Sequence, residues 1–183
     1  MNDKEKRDLL ALVRKAIESA VINGEETYDE TRFLQKQPVF VTLYKAGHPR
    51  GSMGTMDTRL PLGVSVCLAA RYAALKDKKH NPLTNKELKK IKIEISLLSH
   101  PEEVRHDQYK EKIKYGEHGL IAEIPPFKGT ILPQLFLPGS KVEDILTQVC
   151  KKAGLVEDSW TKQECKIHRF TAERFKERIL ALM

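Results

Sequence analysis

The chain has 183 residues, 40% of them hydrophobic and 31% charged, with a formal net charge of +7 at pH 7. That length suits a single domain, residues 1–183, and the balance is ordinary for a water-soluble globular protein. No apolar run approaches the roughly 20 residues of a membrane helix, and the opening MNDKEKRDLLALVRKAI mixes acids and bases through its apolar positions. It reads as neither a secretion signal nor a transit peptide, so a cytoplasmic location is expected.

Leu9, Val13, Ala16, Ile17, Ala20 and Val21 recur at helical spacing through residues 3–22, and Gly24 ends that amphipathic helix. A polar connection, EETYDETRFLQKQ, leads to PVFVTLYK, whose β-branched and aromatic residues predict a strand. The stretch KAGHPRGSMG, Lys45 to Gly54, then crowds three glycines, a histidine, an arginine and a serine into an expected turn before the next helix. Pro61 suits a helix first turn, and Leu62, Val66, Ala69, Ala70 and Ala73 mark the apolar face of that helix.

Thr84 with Glu87 makes a capping box for a short helix. KIKIEISLL alternates Ile91, Ile93, Ile95 and Leu97 against Lys92, Glu94 and Ser96, which predicts a half-buried strand of an antiparallel sheet. HPEEVRHDQYKEK is a polar excursion without a core signal. YGEHGLIAEI predicts a strand that PPFKG turns toward a shorter one, TILPQ. Ser140 with Glu143 is a second capping box, opening a helix with Val142, Ile145, Leu146 and Val149 on its core face and Gly154 at its end. Trp160 is expected in a loop as a core plug. ECKIHRFTA reads as strand, whereas ERFKERILALM contains helix formers. Strands and helices alternate without a Rossmann or P-loop fingerprint, so the fold class is α+β.

Cys67, Cys150 and Cys165 are far apart and form no CxxC, and the first two fall inside apolar helices, which fits buried free thiols better than a disulfide or zinc site. The six histidines are equally scattered, so no metal is expected. Lys76, Lys78, Lys79, Lys86, Lys89, Lys90 and Lys92 crowd one segment, and Lys110, Lys112 and Lys114 alternate. Such charge can draw phosphates or acidic partners, or can simply be a solvated face. Aromatics are not interleaved, so the stacking platform of a single-strand binder is missing and a nucleic-acid partner has little support.

Taken in order, VFVTLYKAGHPRGSMG, PLGVSVCLAARYAALKDKKHNPLTNKELKKIKIEISLLS, YGEHGLIAE, KGTILPQL and CKKAGLVEDSW resemble the AMME-syndrome chromosomal-region candidate protein family, the AMMECR-type domain, from the first helix to about Phe175. The resemblance implies a curled, mostly antiparallel sheet flanked by helices, in two lobes around a shared core, with ECKIHRFTAERF mainly strand. It implies no established activity or cofactor. It does imply a shared pathway with a Memo-type protein and a radical-SAM protein, which makes these the expected partners. Two departures stand out, one before the proline of PLT, where neither His80 nor Asn81 matches the aromatic often found in the family, and one in the hexapeptide. Ser52 takes the place of the cysteine in the family's L-R-G-C-I-G hexapeptide, and Pro49 that of its leading leucine. A hydroxyl is a far weaker nucleophile and metal ligand than a thiol.

The candidate site is this hexapeptide with its neighbours: His48, Arg50, Gly51, Ser52 and Gly54, together with His118 and Gly119 of GEHGL, which also matches a recurrent family motif. The glycines permit amides to face an anion or allow close packing, Arg50 suits a carboxylate or phosphate, and Ser52 can donate a hydrogen bond. Three readings are open. The stretch is a tight structural crossing, with Arg50 on a core-edge carboxylate and His118 capping a turn. It is a surface binding a protein partner or anionic ligand. Or it is the site of an enzyme acting on RNA or on a small acyl or phosphoryl substrate, with Arg50, Ser52 and His118 as its working groups. RGSMG is not the G-x-S-x-G nucleophile elbow, and the missing thiol favours a binding or adaptor module over an enzyme.

Overall fold

A computed structural model describes residues 1–29 and 31–177. The helix formers at 178–183 lie outside the described residues. The architecture is α+β, with antiparallel strand pairing, and the chain forms two compact units: Met1–Leu98 with 173–177, and Ser99–Ala172.

The first unit opens with α1 (Asp3–Asn23). Asn2 accepts the amide of Glu5 at 2.9 Å while the Glu5 carboxylate accepts the amide of Asn2 at 2.8 Å, and Gly24 closes the helix at φ 73°. Leu9, Val13, Ala16, Ile17 and Ala20, the spacing read from the sequence, are buried against α2 (Leu62–Leu75) and the strands beneath. Each fully buried leucine or isoleucine contributes about 1.5–3 kcal/mol.

Strand β1 (Val39–Lys45) turns through Ala46 and Gly47, both at positive φ (50° and 83°), directly into β2 (His48–Thr55). Two successive left-handed residues give the tight reverse turn whose twist matches paired strands. The stretch expected as a turn before α2 is therefore a turn of two residues followed by a strand. Pairing overrides a composition of proline and glycine that argues against strand. The order β2-β1-β3 then brings in β3 (Ile91–Leu98), with Thr42 opposite Ser52 on one side and Glu94 on the other.

Helix α2 has no side chain capping its start; its first amides donate instead to Gln35 (2.8 Å from Leu62) and Phe33 (3.1 Å from Gly63). Thr84 and Glu87 cap a 3₁₀ turn at Asn85–Lys90, as their spacing predicts. β3 departs from its expected half-burial. Glu94 and Ser96 are each 1% exposed, because the strand is internal, and Lys176 and Tyr44 reach the Glu94 carboxylate at 3.0 Å and 3.4 Å.

The second unit contains β4 (Glu102–Glu103), the short α3 (Tyr109–Lys112), β5 (His118–Ile124), β6 (Phe127–Ile131), α4 (Val142–Ala153) and the first part of β7 (Lys166–Lys176). β5 lies between β6 and β7, and β4 pairs with β7. β7 continues through 173–176 into the first unit, next to β3, so ECKIHRFTAERFK is strand from Lys166 onward. The supposedly coreless HPEEVRHDQYKEK supplies Val104, Tyr109 and, just beyond it, Ile113 to this unit's core. Ser140 does not cap α4: its hydroxyl donates to Leu137, and the cap is Lys141, whose amide donates to Asp144 at 2.9 Å. Trp160 sits partly buried on this core in a 3₁₀ turn, its Nε1 donating to Thr147. Buried side chains form two clusters, one in each unit. All three cysteines are free and buried. No helix among the described residues is long and apolar enough to cross a membrane.

The tightest constraint in the first unit is where α2 crosses β2. A Cβ on Gly51 would lie 2.1 Å from the carbonyl oxygen of Ala73, a backbone atom that cannot swing aside. Gly51→Ala is expected to cost at least about 3 kcal/mol, since overpacking against backbone forces helix and strand apart. Gly24→Ala, strained only by its φ of 73° with nothing within 4 Å, should cost about 1–2 kcal/mol. Denaturant midpoints of the two variants measure the difference.

Candidate functional site

The hexapeptide lies along β2. His48 and Pro49 are exposed at its start, and Arg50 follows as the first of its residues to be substantially covered. The Arg50 guanidinium grips Glu87 with both ends of its fork, Nε to Oε1 and Nη2 to Oε2, each at 3.0 Å, while Nη1 donates to the Asn81 carbonyl at 3.0 Å. Lys45 adds a bond to the same carboxylate at 2.7 Å, and the Thr84 amide and hydroxyl each add one at 3.0 Å. Arg50 and Glu87 are only 15% and 14% exposed. The bonds from Arg50, then those from Lys45, hold the Glu87 carboxyl well below the usual range, against the opposing effect of burial. Arg50 thus pairs an edge carboxylate, the structural reading. Its planar fork is committed within the chain.

Ser52 is equally occupied. Its hydroxyl meets that of buried Thr42 across the strand pair at 2.9 Å, and its amide donates to Asp77 at 2.8 Å. Burial pushes the Asp77 carboxyl up, but the amides of Lys79 and Ser52 and the charges of His80 and Lys79 outweigh it, so the acid stays ionised lower than usual. The motif glycines serve close packing. Gly51 admits α2, and a Cβ on Gly54 would lie 2.3 Å from the Phe40 ring and 2.4 Å from the Val39 carbonyl.

His118 and Gly119 belong to the second unit, at the start of β5. His118 is 6% exposed, and its Nδ1 accepts the Lys114 amide at 3.2 Å, so the ring caps a turn. Burial lowers its pKa, only partly offset by Glu117, so at neutral pH the ring is uncharged with its acceptor nitrogen already engaged. A general base needs that lone pair free. Gly119 lies under Phe170, whose ring atoms would be 2.4 Å from an added Cβ. Among the described residues no cluster of histidine, cysteine, aspartate and glutamate is arranged to hold a metal.

What the motif strand leaves open is beside it. Between the end of β2 and α2 is a cavity of about 340 Å³, lined by Met53, Gly54, Leu60, Leu68, Ala69 and Tyr72, with Thr55, Asp57 and Ser65 as its polar groups. Leu60 and Tyr72 are 46% and 41% exposed. Sequence reasoning missed this cavity, and it missed Glu87 and Asp77 as partners of the hexapeptide. The capping role of Glu87 was legible, but a carboxylate 37 residues from Arg50 has no periodic relation to it.

The family model for AMMECR1 matches residues 10–175. The chain belongs to the AMMECR1 family. A protein of Thermococcus gammatolerans is 38% identical over 181 residues, covering 92% of this chain and 88% of its own length, and protein MJ0810 of Methanocaldococcus jannaschii is 40% identical over 158 residues, covering 83% and 78%. The crystal structure of the uncharacterized protein PH0010 from Pyrococcus horikoshii superposes with a TM-score of 0.91 at 32% identity, covering 97% of this chain and 94% of that one.

The pairing of Arg50 with Glu87 makes a pH-dependent prediction. Arg50→Ala should destabilise the protein by about 2–4 kcal/mol at pH 7, since it strips the strongest partner from a mostly buried carboxylate. The Glu87 carboxyl is depressed in the folded state, so its contribution is present above its ordinary value of 4.5 and disappears as pH falls below that toward the folded value. The difference between wild type and Arg50→Ala should therefore shrink between about pH 6 and pH 3. Urea unfolding at a series of pH values measures it.

Proposed function

We propose that this AMMECR1-family protein is a non-catalytic, cytoplasmic binding module that seats an apolar side chain of a protein partner in the cavity beside its motif strand. The observation that carries this reading is the contrast along β2. Arg50 and Ser52 have partners inside the chain, whereas the adjoining cavity is open and edged by exposed Leu60 and Tyr72. Exposed apolar groups around a concavity are what a partner's anchoring side chain needs. An anionic ligand held by Arg50 would have to displace Glu87 from a bidentate grip, so the protein-partner form of the binding reading is preferred over the anion form. Family association points to a Memo-type or radical-SAM protein as the partner.

The enzyme reading needs an activated nucleophile. Among the described residues the Ser52 hydroxyl is hydrogen-bonded to Thr42, which is no base, and the hexapeptide lacks the family's thiol. Retention of the source cell's Memo-type and radical-SAM proteins on immobilised chain tests the proposal. Wild type should hold one of them. Leu60→Asp and Tyr72→Asp should each weaken retention about tenfold or more, as loss of an interface anchor does, and Ser52→Ala should leave it unchanged. Unchanged retention by both aspartate variants would remove the cavity from the interface. Loss in Ser52→Ala alone would return the function to the hydroxyl.

A further inference from the structure

The first unit has a second concavity, away from the motif strand in sequence and larger than the first. It encloses about 790 Å³ between one face of α1, the start of β3 and the end of β7. Arg7, Leu10, Ala11 and Arg14 line it from α1 at the three- and four-residue intervals that share a helix face. Leu10 and Ile91 are 8% and 4% exposed, and with half-buried Phe175 they give the groove an apolar floor.

Six cations and two carboxylates line this groove. Three of the cations are neutralised within the chain. Lys6 binds Glu173 at 2.7 Å, Lys176 binds Glu94 at 3.0 Å, and Arg14 binds Glu177 through Nε at 3.0 Å. Arg14 also donates to the carbonyls of Leu88 (2.8 Å) and Ile91 (3.1 Å), which fixes the floor to the 3₁₀ turn and the start of β3. The other three, Arg7, Lys89 and Lys92, are exposed and have no ion pair among the described residues. They come from α1, from the end of the 3₁₀ turn and from β3. Among the described lining residues, Asp3 is the carboxylate that stands against them, since Glu177 is taken by Arg14.

We propose that this groove docks an acidic, amphipathic segment of a protein partner, on a surface separate from the cavity beside β2. Leucine-type side chains would cover the Leu10, Ile91 and Phe175 floor, and carboxylates on the other face of the segment would reach Arg7, Lys89 and Lys92. That is the helix-in-groove mode of recognition, with charge setting orientation and encounter rate. A nucleic-acid strand is disfavoured by the floor. Its one aromatic ring, Phe175, already carries the Lys6 ammonium 5.8 Å from its centre, and the rest of the lining is aliphatic or charged, so successive bases would find no stacking surface.

The test uses the full chain and a fluorescent amphipathic peptide built from glutamate and leucine, followed by anisotropy at low and moderate salt. Saturable binding that weakens with salt is expected, and the same peptide with glutamine for glutamate should fail. The Arg7→Glu/Lys89→Glu/Lys92→Glu variant should lose about tenfold or more in affinity, as reversal of complementary charges does. All three side chains are exposed, so its thermal midpoint should stay near that of wild type. Ala11→Glu, which puts a carboxylate on the groove wall, should also abolish binding, while Tyr72→Asp should leave it intact. A failure here therefore says nothing against the cavity beside β2. Absence of saturable binding at low salt, equal binding by the folded triple variant, or tighter binding of oligouridylate than of the peptide would each overturn the proposal.

Discussion

The approach of α2 to β2 sets the geometry of everything around the motif. A carbonyl 2.1 Å from where a Cβ would be admits glycine alone at position 51. The helix can come this close because its buried face is small: Ala69, Ala70, Ala73 and Ala74 follow Leu62 and Val66. Small residues on the helix and a glycine on the strand are one constraint seen from two sides. Larger side chains return at the end of β2, at Met53 and at Leu68 and Tyr72 on α2, and there the cavity lies. The glycines of the hexapeptide are thus explained by packing, without invoking amides that cradle an anion.

A second constraint is electrostatic and runs through Glu87. One carboxylate takes bonds from β1 through Lys45, from β2 through Arg50 and from its own turn through Thr84. Such a group is costly to bury and costlier to leave unpaired, so the three elements are held in register by what each supplies to it. Asp77 does the same on a smaller scale, accepting amides from Ser52 and Lys79. Arg50 and the Ser52 amide of the motif strand, facing acids that follow α2, form a pattern of internal satisfaction. It explains why arginine, rather than lysine, fits position 50: only a planar fork meets both carboxylate oxygens and a carbonyl together.

Much of the fold was legible because periodicity reports burial of one face. The α1 and α2 stripes, the alternation in β3 and the glycine caps at 24 and 154 all express local geometry. The misses share a cause. β2 contains His48, Pro49 and two glycines, poor strand formers, and is a strand because the Ala46–Gly47 turn folds it onto β1. Glu94 and Ser96 alternate as solvent-facing residues do, yet Glu94 is buried with Lys176 as its partner, 82 residues along the chain. Tyr109 and Ile113 sit among too many charges to be picked out by pattern. Of the candidate site, the residues were readable as a set through the family motif and their structural roles as one of three open readings, but the choice was not readable for Arg50 and Ser52, because their partners Glu87 and Asp77 are distant in sequence.

The charge of the chain can now be divided. The seven lysines between 76 and 92 are all exposed, and most of them face solvent without contributing to either concavity, which fits a solubility role. Lys89 and Lys92 differ in position rather than in kind. They flank the start of β3, where Arg14 is anchored, beside an apolar floor to which α1 contributes Leu10. An unpaired cation on open surface is cheap, because water solvates it fully. Beside a groove that excludes part of that water, the same cation is held at higher potential and favours an incoming carboxylate. The distinction between a solvated face and a recognition surface therefore lies in what stands next to the lysines, and composition alone cannot express it.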